Sequence, residues 1–289
     1  MTALAFDPTW LASLYAKARQ PPLRPREALY AGEHCIGSVL PELFRDFASW
    51  ASWNGQKMLL NKEQLVDPSK TAIWRLEGAV TPALNLIAAA LHDAPAGHPA
   101  HGYVAKYWRG EQLGVYGAGG DLLGSVERGA VRPLGIATRA VHLVGRTPAG
   151  PMWVQQRALN KANDPGLWDT LMGGMISVKD DLHTALARET TEEAGLAMAQ
   201  LRDVALRGRV KLQRPADDTG VGYVVEDIDW FNCTVAEGIV PVNQDGEVAQ
   251  FQLLALDELV ARLQRDEFTL EAALILVAAL VHDTPVAAP

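Results

Sequence analysis

The chain has 289 residues, 48% hydrophobic and 21% charged, a composition that excludes a disordered tail protein and provides a sizeable core for one large or two ordinary domains. Its formal net charge of −8 argues against a nucleic-acid polymer as the main partner, although bound metal ions let an acidic protein hold phosphates. The two cysteines, Cys35 and Cys233, lie far apart and fit no metal or redox spacing, so both read as buried structural thiols of a reducing compartment. The first residues lack a basic, apolar leader pattern, and the longest apolar run, 272–281, is about half of a membrane span. A cytoplasmic protein without a membrane partner is therefore expected.

Residues 8–19 should be helical, with Trp10, Leu11, Leu14 and Tyr15 on one face; Pro21 and Pro22 end that element. A strand is expected at 34–39, a helix from Pro41 to Trp50, a strand at 57–61, and a helix-turn-helix over 70–92. Thr81 and Pro82 would cap and open its second helix. After a turn-rich stretch at 93–100, strands are expected at 103–108, 111–116 and 122–127. Arg109 and Glu111 read either as a surface ion pair or as part of a pocket, the surface reading being the simpler. Residues 138–146 and 151–157 form a hairpin about the turn 147–150. Strands at 203–212 and 222–235 follow. An alternating strand then runs to Leu256, and helices at 257–265 and 269–281 pack back on the sheet with Val277 and Leu280 in the core.

Residues 174–196 carry the chemistry. Glu189, Glu192 and Glu193 are spaced i, i+3, i+4, which stacks three carboxylates on one face of a helix. Alone they repel; a hard divalent cation such as Mg²⁺ or Mn²⁺ reverses the sign of that interaction. The competing reading is a solvated acidic face. Gly173 and Gly174 permit a tight lead-in, Asp180 or Asp181 can N-cap the helix, and Gly195 can end it, bounding it at roughly 181–194. Leu182, Ala185, Leu186 and Ala194 supply the face that packs on a sheet. Thr190 should face the core and back-bond to a helix carbonyl, and Arg188 can orient a neighbouring carboxylate.

This stretch resembles the Nudix box: Gly, five residues, Glu, seven residues, then Arg-Glu-U-x-Glu-Glu-x-Gly-U, with U a bulky aliphatic. Gly174, Arg188, Glu189, Glu192, Glu193, Gly195 and Leu196 stand at those spacings; Asp180 replaces a Glu and Thr190 the first aliphatic. The stretches WRGEQLGVYG (108–117), GSVERGAVRPLGIATRAVHL (124–143) and CIGSVLPELF (35–44) resemble an N-terminal domain of uncharacterised role. That domain precedes Nudix domains similar to the Nudix half of fungal thiamin pyrophosphokinase. The resemblance implies a two-domain α/β (α+β) protein. Residues 1–135 would be a smaller α+β domain that shapes one wall of the substrate pocket. Residues 136–289 would be a Nudix domain with a mixed sheet between helices.

It also implies a metal-dependent hydrolase of a diphosphate linkage. Asp180, Glu189, Glu192 and Glu193 would hold Mg²⁺ or Mn²⁺, Arg188 would orient Glu189, and Glu189 or Glu247 would take a proton from water. Glu247 otherwise reads as an exposed turn residue. Arg157 and Lys161, four residues apart at a strand end, read either as ordinary surface cations or, with Gly174, as holders of the phosphates. The small-molecule substrate implied is thiamin diphosphate or its oxidised products; an oxidised guanine nucleotide, ADP-ribose and a non-catalytic nucleotide-binding role stay open. Trp153, Trp168 and Trp230 either stack on a substrate ring or belong to the core. Isopentenyl diphosphate isomerase would need a cysteine in 164–174, and none lies there. A homodimer is left open as the assembly.

Overall fold

The computed structural model describes residues 6–44, 52–53, 56–57, 60–63 and 72–282. The first part of the chain runs α1 (Pro8–Ala18), β1 (Glu27–Ala31), β2 (His34–Val39), β3 (Ser52–Trp53), β4 (Gln56–Lys57), β5 (Leu60–Glu63), β6 (Ile73–Leu76), α2 (Val80–His92), α3 (Tyr103–Tyr107), β7 (Gln112–Tyr116) and β8 (Leu122–Glu127). The second runs β9 (Thr138–Arg146), β10 (Met152–Arg157), β11 (Trp168–Asp169), β12 (Met172–Met175), α4 (Leu182–Ala194), β13 (Leu201–Pro215), β14 (Tyr223–Val235), β15 (Val248–Leu254), α5 (Leu256–Gln264) and α6 (Leu270–His282).

The first part builds a four-stranded sheet in the order β2-β1-β6-β5 and a separate β7-β8 hairpin, with β1 parallel to β6. Leu29, Val39, Leu84, Ile87, Leu91 and Leu113 fill the core beneath them. Four expectations are corrected here. Residues 73–76 are a strand, because Trp74 and Leu76 are buried while Ile73 and Arg75 are not, a period of two. Residues 103–107 are a single helical turn after Gly102, which sits in the left-handed region at φ 70°. The alternation of Tyr103, Ala105 and Tyr107 imitates a strand, but only Val104 is buried. Pro41–Phe44 form a 3₁₀ turn; the rest of the helix expected there, and the centre of the strand expected at 57–61, lie outside the described residues. Thr81 is inside α2, whose N-cap is Ala79, and its hydroxyl accepts from Ser125 N at 2.9 Å.

The second part is a seven-stranded mixed sheet between helices. Its central strand β9 is parallel to β14 and antiparallel to both β12 and β10. β10 pairs in turn with β15 and β11. Alternate residues of β9 serve the two faces. Val141 and Leu143 pack with Leu186 of α4, whereas Ala140 and Val144 pack with Leu259 of α5 and Leu276 of α6. Leu14 and Ala18 of α1 belong to this second core, so the first helix is built into the sheet of residues 138–254.

The two parts are stitched by backbone. Val178 N donates to Gln112 O at 2.9 Å, and Tyr223 N to Arg132 O at 2.9 Å. The Arg26 guanidinium donates to Ser38 O (2.6 Å), Pro133 O (2.7 Å) and Val221 O (3.0 Å), and burial lowers its pKa to about 10. Cys233 is buried, which pushes its thiol up to about 12, but Cys35 is exposed, contrary to expectation. Among the described residues no helix is long and apolar enough to cross a membrane.

Candidate active site

α4 is fixed at both ends by the residues the sequence marks. The Asp181 side chain accepts from Thr184 N at 2.7 Å, and Gly195 closes the helix at φ 64°. Thr190 is fully buried and its hydroxyl donates to Leu186 O at 2.6 Å, as expected of a threonine in an aliphatic position. The preceding strand β12 brings Gly174 against the same helix, and a Cβ at Gly174 would overlap the carboxyl group of Glu189. The glycine is needed for that close approach rather than for a turn.

The four acidic residues divide into two pairs. Glu189 and Glu193 line a cleft of about 500 Å³ between α4, β9, β12 and the loops beyond β10 and before β15. Glu193 is only 4% exposed; it accepts from Gln155 Nε2 at 2.8 Å and Gly173 N at 3.1 Å, and its burial pushes its pKa up to about 8 against those hydrogen bonds. Burial likewise raises Glu189 to about 7, opposed by Arg188 at 3.0 Å. Glu192, by contrast, is exposed and pairs with Arg188 at 2.8 Å on the outer face of the helix beside His183. Asp180 accepts from Arg188 Nε at 3.0 Å. Arg188 thus gathers three carboxylates around one guanidinium. Among the described residues no three His, Cys, Asp or Glu side chains are grouped closely enough to hold a metal ion. Of the box carboxylates, the half-buried Glu189 and the buried Glu193 share the cleft, and their oxygen donors fit a hard cation such as Mg²⁺ or Mn²⁺.

The cations expected at the cleft are there, already engaged. Arg157 donates to Asn163 O (3.1 and 3.3 Å) and pairs with the buried Asp169 at 3.4 Å, which folds the 158–166 loop over the β10 end. Lys161 pairs with Glu247 across the rim. Burial is the largest single influence on the Glu247 carboxyl and would raise it, but the hydrogen bond from Lys161 and the charges of Lys161, Arg128 and Arg157 together outweigh it and hold it below the ordinary range. Arg109 is exposed at the cleft mouth and Glu111 lines the cleft, but the two do not pair: Glu111 pairs with Arg128, and Arg132 stands with them. Sequence reasoning also misses His142, Asp169, Glu226 and Glu271, which come from four separate elements or loops and form the polar cleft floor. No short-range spacing links them. Trp168 and Trp230 are core residues, Trp153 packs partly buried against the α4 side, and among the described residues no Phe, Tyr or Trp lines the cleft.

Residues 136–274 match the family model for the NUDIX domain. The uncharacterized Nudix hydrolase PA4841 of Pseudomonas aeruginosa is 36% identical over 95 residues, which cover 33% of this chain and 54% of that protein. An uncharacterized protein of Saccharomyces cerevisiae, YJR142W, is 26% identical over 191 residues, 61% of this chain and 56% of that one. The Arabidopsis thaliana protein named Nudix hydrolase 20, chloroplastic, is 28% identical over 147 residues, 50% of this chain and 38% of that protein. The match thus spans about half the length of the first two curated relatives and less of the third. Among solved structures, DR0079 from Deinococcus radiodurans is similar over 58% of this chain and 99% of its own, at 19% identity and a TM-score of 0.47.

Proposed function

We propose that the chain is a Mg²⁺- or Mn²⁺-dependent hydrolase of a diphosphate linkage, acting on thiamin diphosphate or its oxidised products and releasing the monophosphate and phosphate. One observation carries the hydrolase reading. The box helix turns Glu189 and Glu193 into a cleft that Arg157 and Lys161 also line, so metal donors and phosphate donors share one space. Phosphoryl transfer needs charge neutralised and water aligned rather than covalent chemistry. A bound divalent cation would neutralise phosphate oxygens and acidify a water molecule.

The protein's own groups do the rest. Gln155 and the Gly173 amide fix Glu193, and Arg188 fixes Glu189. Glu189, raised to about 7, is the better proton acceptor near neutral pH; Glu247 is held ionised by Lys161 and is a weaker base. Arg157 and Lys161 hold the phosphates, Lys161 by exchanging Glu247 for substrate. Two observations favour a thiamin-type moiety over a nucleobase. The cleft floor offers the carboxyl groups of Asp169, Glu226 and Glu271 and the imidazole of His142, hydrogen-bonding groups that suit an amino-bearing ring. A nucleobase would call for a broad stacking surface, and none of the described lining residues is Phe, Tyr or Trp.

The test is turnover with Mg²⁺ or Mn²⁺ on thiamin diphosphate, oxothiamin diphosphate, an oxidised guanine nucleotide and ADP-ribose. Glu193→Gln should lower kcat by at least ~10²-fold, the scale of losing a principal electrostatic group. Turnover confined to ADP-ribose overturns the substrate assignment. Equal turnover by Glu193→Gln overturns the site.

A further inference from the structure

The first part of the chain contributes a basic wall to the cleft. Arg109, Arg128 and Arg132 all line it, and all three also line a small adjoining cavity of about 50 Å³ closed by Asn163 from the β10–β11 loop. Their convergence is built from the inside. Glu127, 1% exposed, accepts from Arg109 N at 2.8 Å and from Gly129 N at 3.4 Å, so one buried carboxylate fixes the two turns that carry Arg109 and Arg128. Gly129 lies under α3, and a Cβ there would come within 2.9 Å of Val104 O and 3.0 Å of Trp108 N. That close approach brings the three arginine-bearing segments together. Backbone pairing of Gln112 with Val178 then docks the assembly just ahead of α4.

The guanidiniums retain donors. Arg128 pairs with Glu111 through one nitrogen at 2.8 Å, and Arg109 uses one nitrogen on two backbone carbonyls. Among the described residues no ion pair within 4.0 Å or hydrogen bond holds the Arg132 guanidinium, which is half-buried and senses Glu226 and Tyr103 only through space. A terminal phosphate carries about 1.5 to 2 negative charges and three acceptor oxygens, whereas a phosphate esterified on both sides carries about one. Guanidinium forks match the former best.

We propose that Arg109, Arg128 and Arg132 form a phosphate subsite that takes the free terminal phosphate of the substrate, so the first part of the chain selects diphosphates with one unesterified end. This rests on the diphosphate-hydrolase reading for its substrate, but the subsite is an anion site in its own right. It assigns the arginines of residues 109–132 to substrate selection, beyond the Arg157 and Lys161 contacts.

The test is calorimetric titration of the full-length protein, with excess Mg²⁺, against inorganic pyrophosphate and against ADP-ribose, whose diphosphate is esterified at both ends. Arg128→Met/Arg132→Met should weaken pyrophosphate binding by about 10- to 100-fold, the range of lost charge-assisted hydrogen bonds. ADP-ribose affinity should change by less than ~3-fold. Arg132→Lys keeps the charge but loses the fork; an intermediate affinity with a wild-type melting curve supports the subsite even where the double variant folds poorly. Unchanged pyrophosphate binding in folded Arg128→Met/Arg132→Met, equal weakening of both ligands, or no pyrophosphate binding by wild type overturns the subsite. Loss of pyrophosphate binding in the arginine variants, with no diphosphate hydrolysed by wild type, upholds the subsite and removes the hydrolase reading. Wild-type-like binding by those variants, with turnover abolished in Glu193→Gln, does the reverse.

Discussion

Two residues of the site show how packing sets chemistry. Gly174 leaves room for the Glu189 carboxyl, so Gly174→Ala must push that group aside. The displaced atoms are the end of a flexible side chain, so the fold should survive while catalysis suffers. A kcat lowered at least ~10-fold with little change in Tm is expected, since misplacing a catalytic group by about 1 Å costs on that scale or more. Glu189 and Glu193 make the metal-free protein pH-sensitive. Below about 4.5 both carboxyls are protonated, folded or unfolded. Between there and their folded values of about 7 and 8, only the unfolded chain has released the protons. The unfolded state then binds fewer protons, so stability falls as pH rises through that window, by on the order of a few kcal/mol. Thermal melts in chelator from pH 5 to pH 8 should show a falling Tm contribution from these groups. Excess Mg²⁺ should flatten it, because a ligand that binds the folded form stabilises that form. Glu189→Gln/Glu193→Gln should lose most of both effects.

At the scale of the element, α4 is held by its ends and by one apolar stripe. Asp181→Ala removes the side-chain cap on Thr184 N and should cost about 1 kcal/mol. Gly195→Ala should cost more than Gly-to-Ala exchange in an ordinary loop, for two reasons. The residue stands at φ 64°, and a Cβ there would meet Val242 O at 2.7 Å. Leu186→Ala empties a fully buried position under the helix and should cost about 2–5 kcal/mol. Urea unfolding curves rank the three, with Leu186→Ala the most destabilised. The pattern also explains why α4 was legible: its caps, glycines and stripe are all local. The β6 and α3 segments were not legible, because four or five residues carry too little periodicity to outweigh where their neighbours sit.

For the whole molecule, the line between the two parts is crossed repeatedly. α1 packs its Leu14 and Ala18 into the core of the second part, and the β7–β8 hairpin region brings Arg109, Arg128 and Arg132 to the cleft. A truncated chain beginning at residue 136 therefore exposes apolar surface of α6 and loses one cleft wall. It should melt well below the full-length protein and, if it retains turnover, show a KM raised at least ~10-fold. Full specificity and full stability of that fragment would show that residues 1–135 contribute neither. Residues 158–166 and 243–247, joined by Lys161 and Glu247, form the opposite rim.

The amino-acid sequence by itself determined the elements whose information is local. These are the box helix with its caps, the hairpin of β9 and β10, the closing helices, and the spacing of Glu189, Glu192 and Glu193. Helical geometry, however, puts three carboxylates near one face without saying which of them enters a cleft. Only the tertiary structure sent Glu189 and Glu193 inward and left Glu192 on Arg188, because the sheet covers one side of α4 and solvent the other. It likewise put Arg109 and Glu111 along one cleft wall, with Glu111 paired to Arg128, and Trp168 and Trp230 in the core. Those outcomes depend on contacts between residues tens to more than a hundred positions apart. The free energy of such contacts is burial and ion pairing, which no spacing rule along the chain contains.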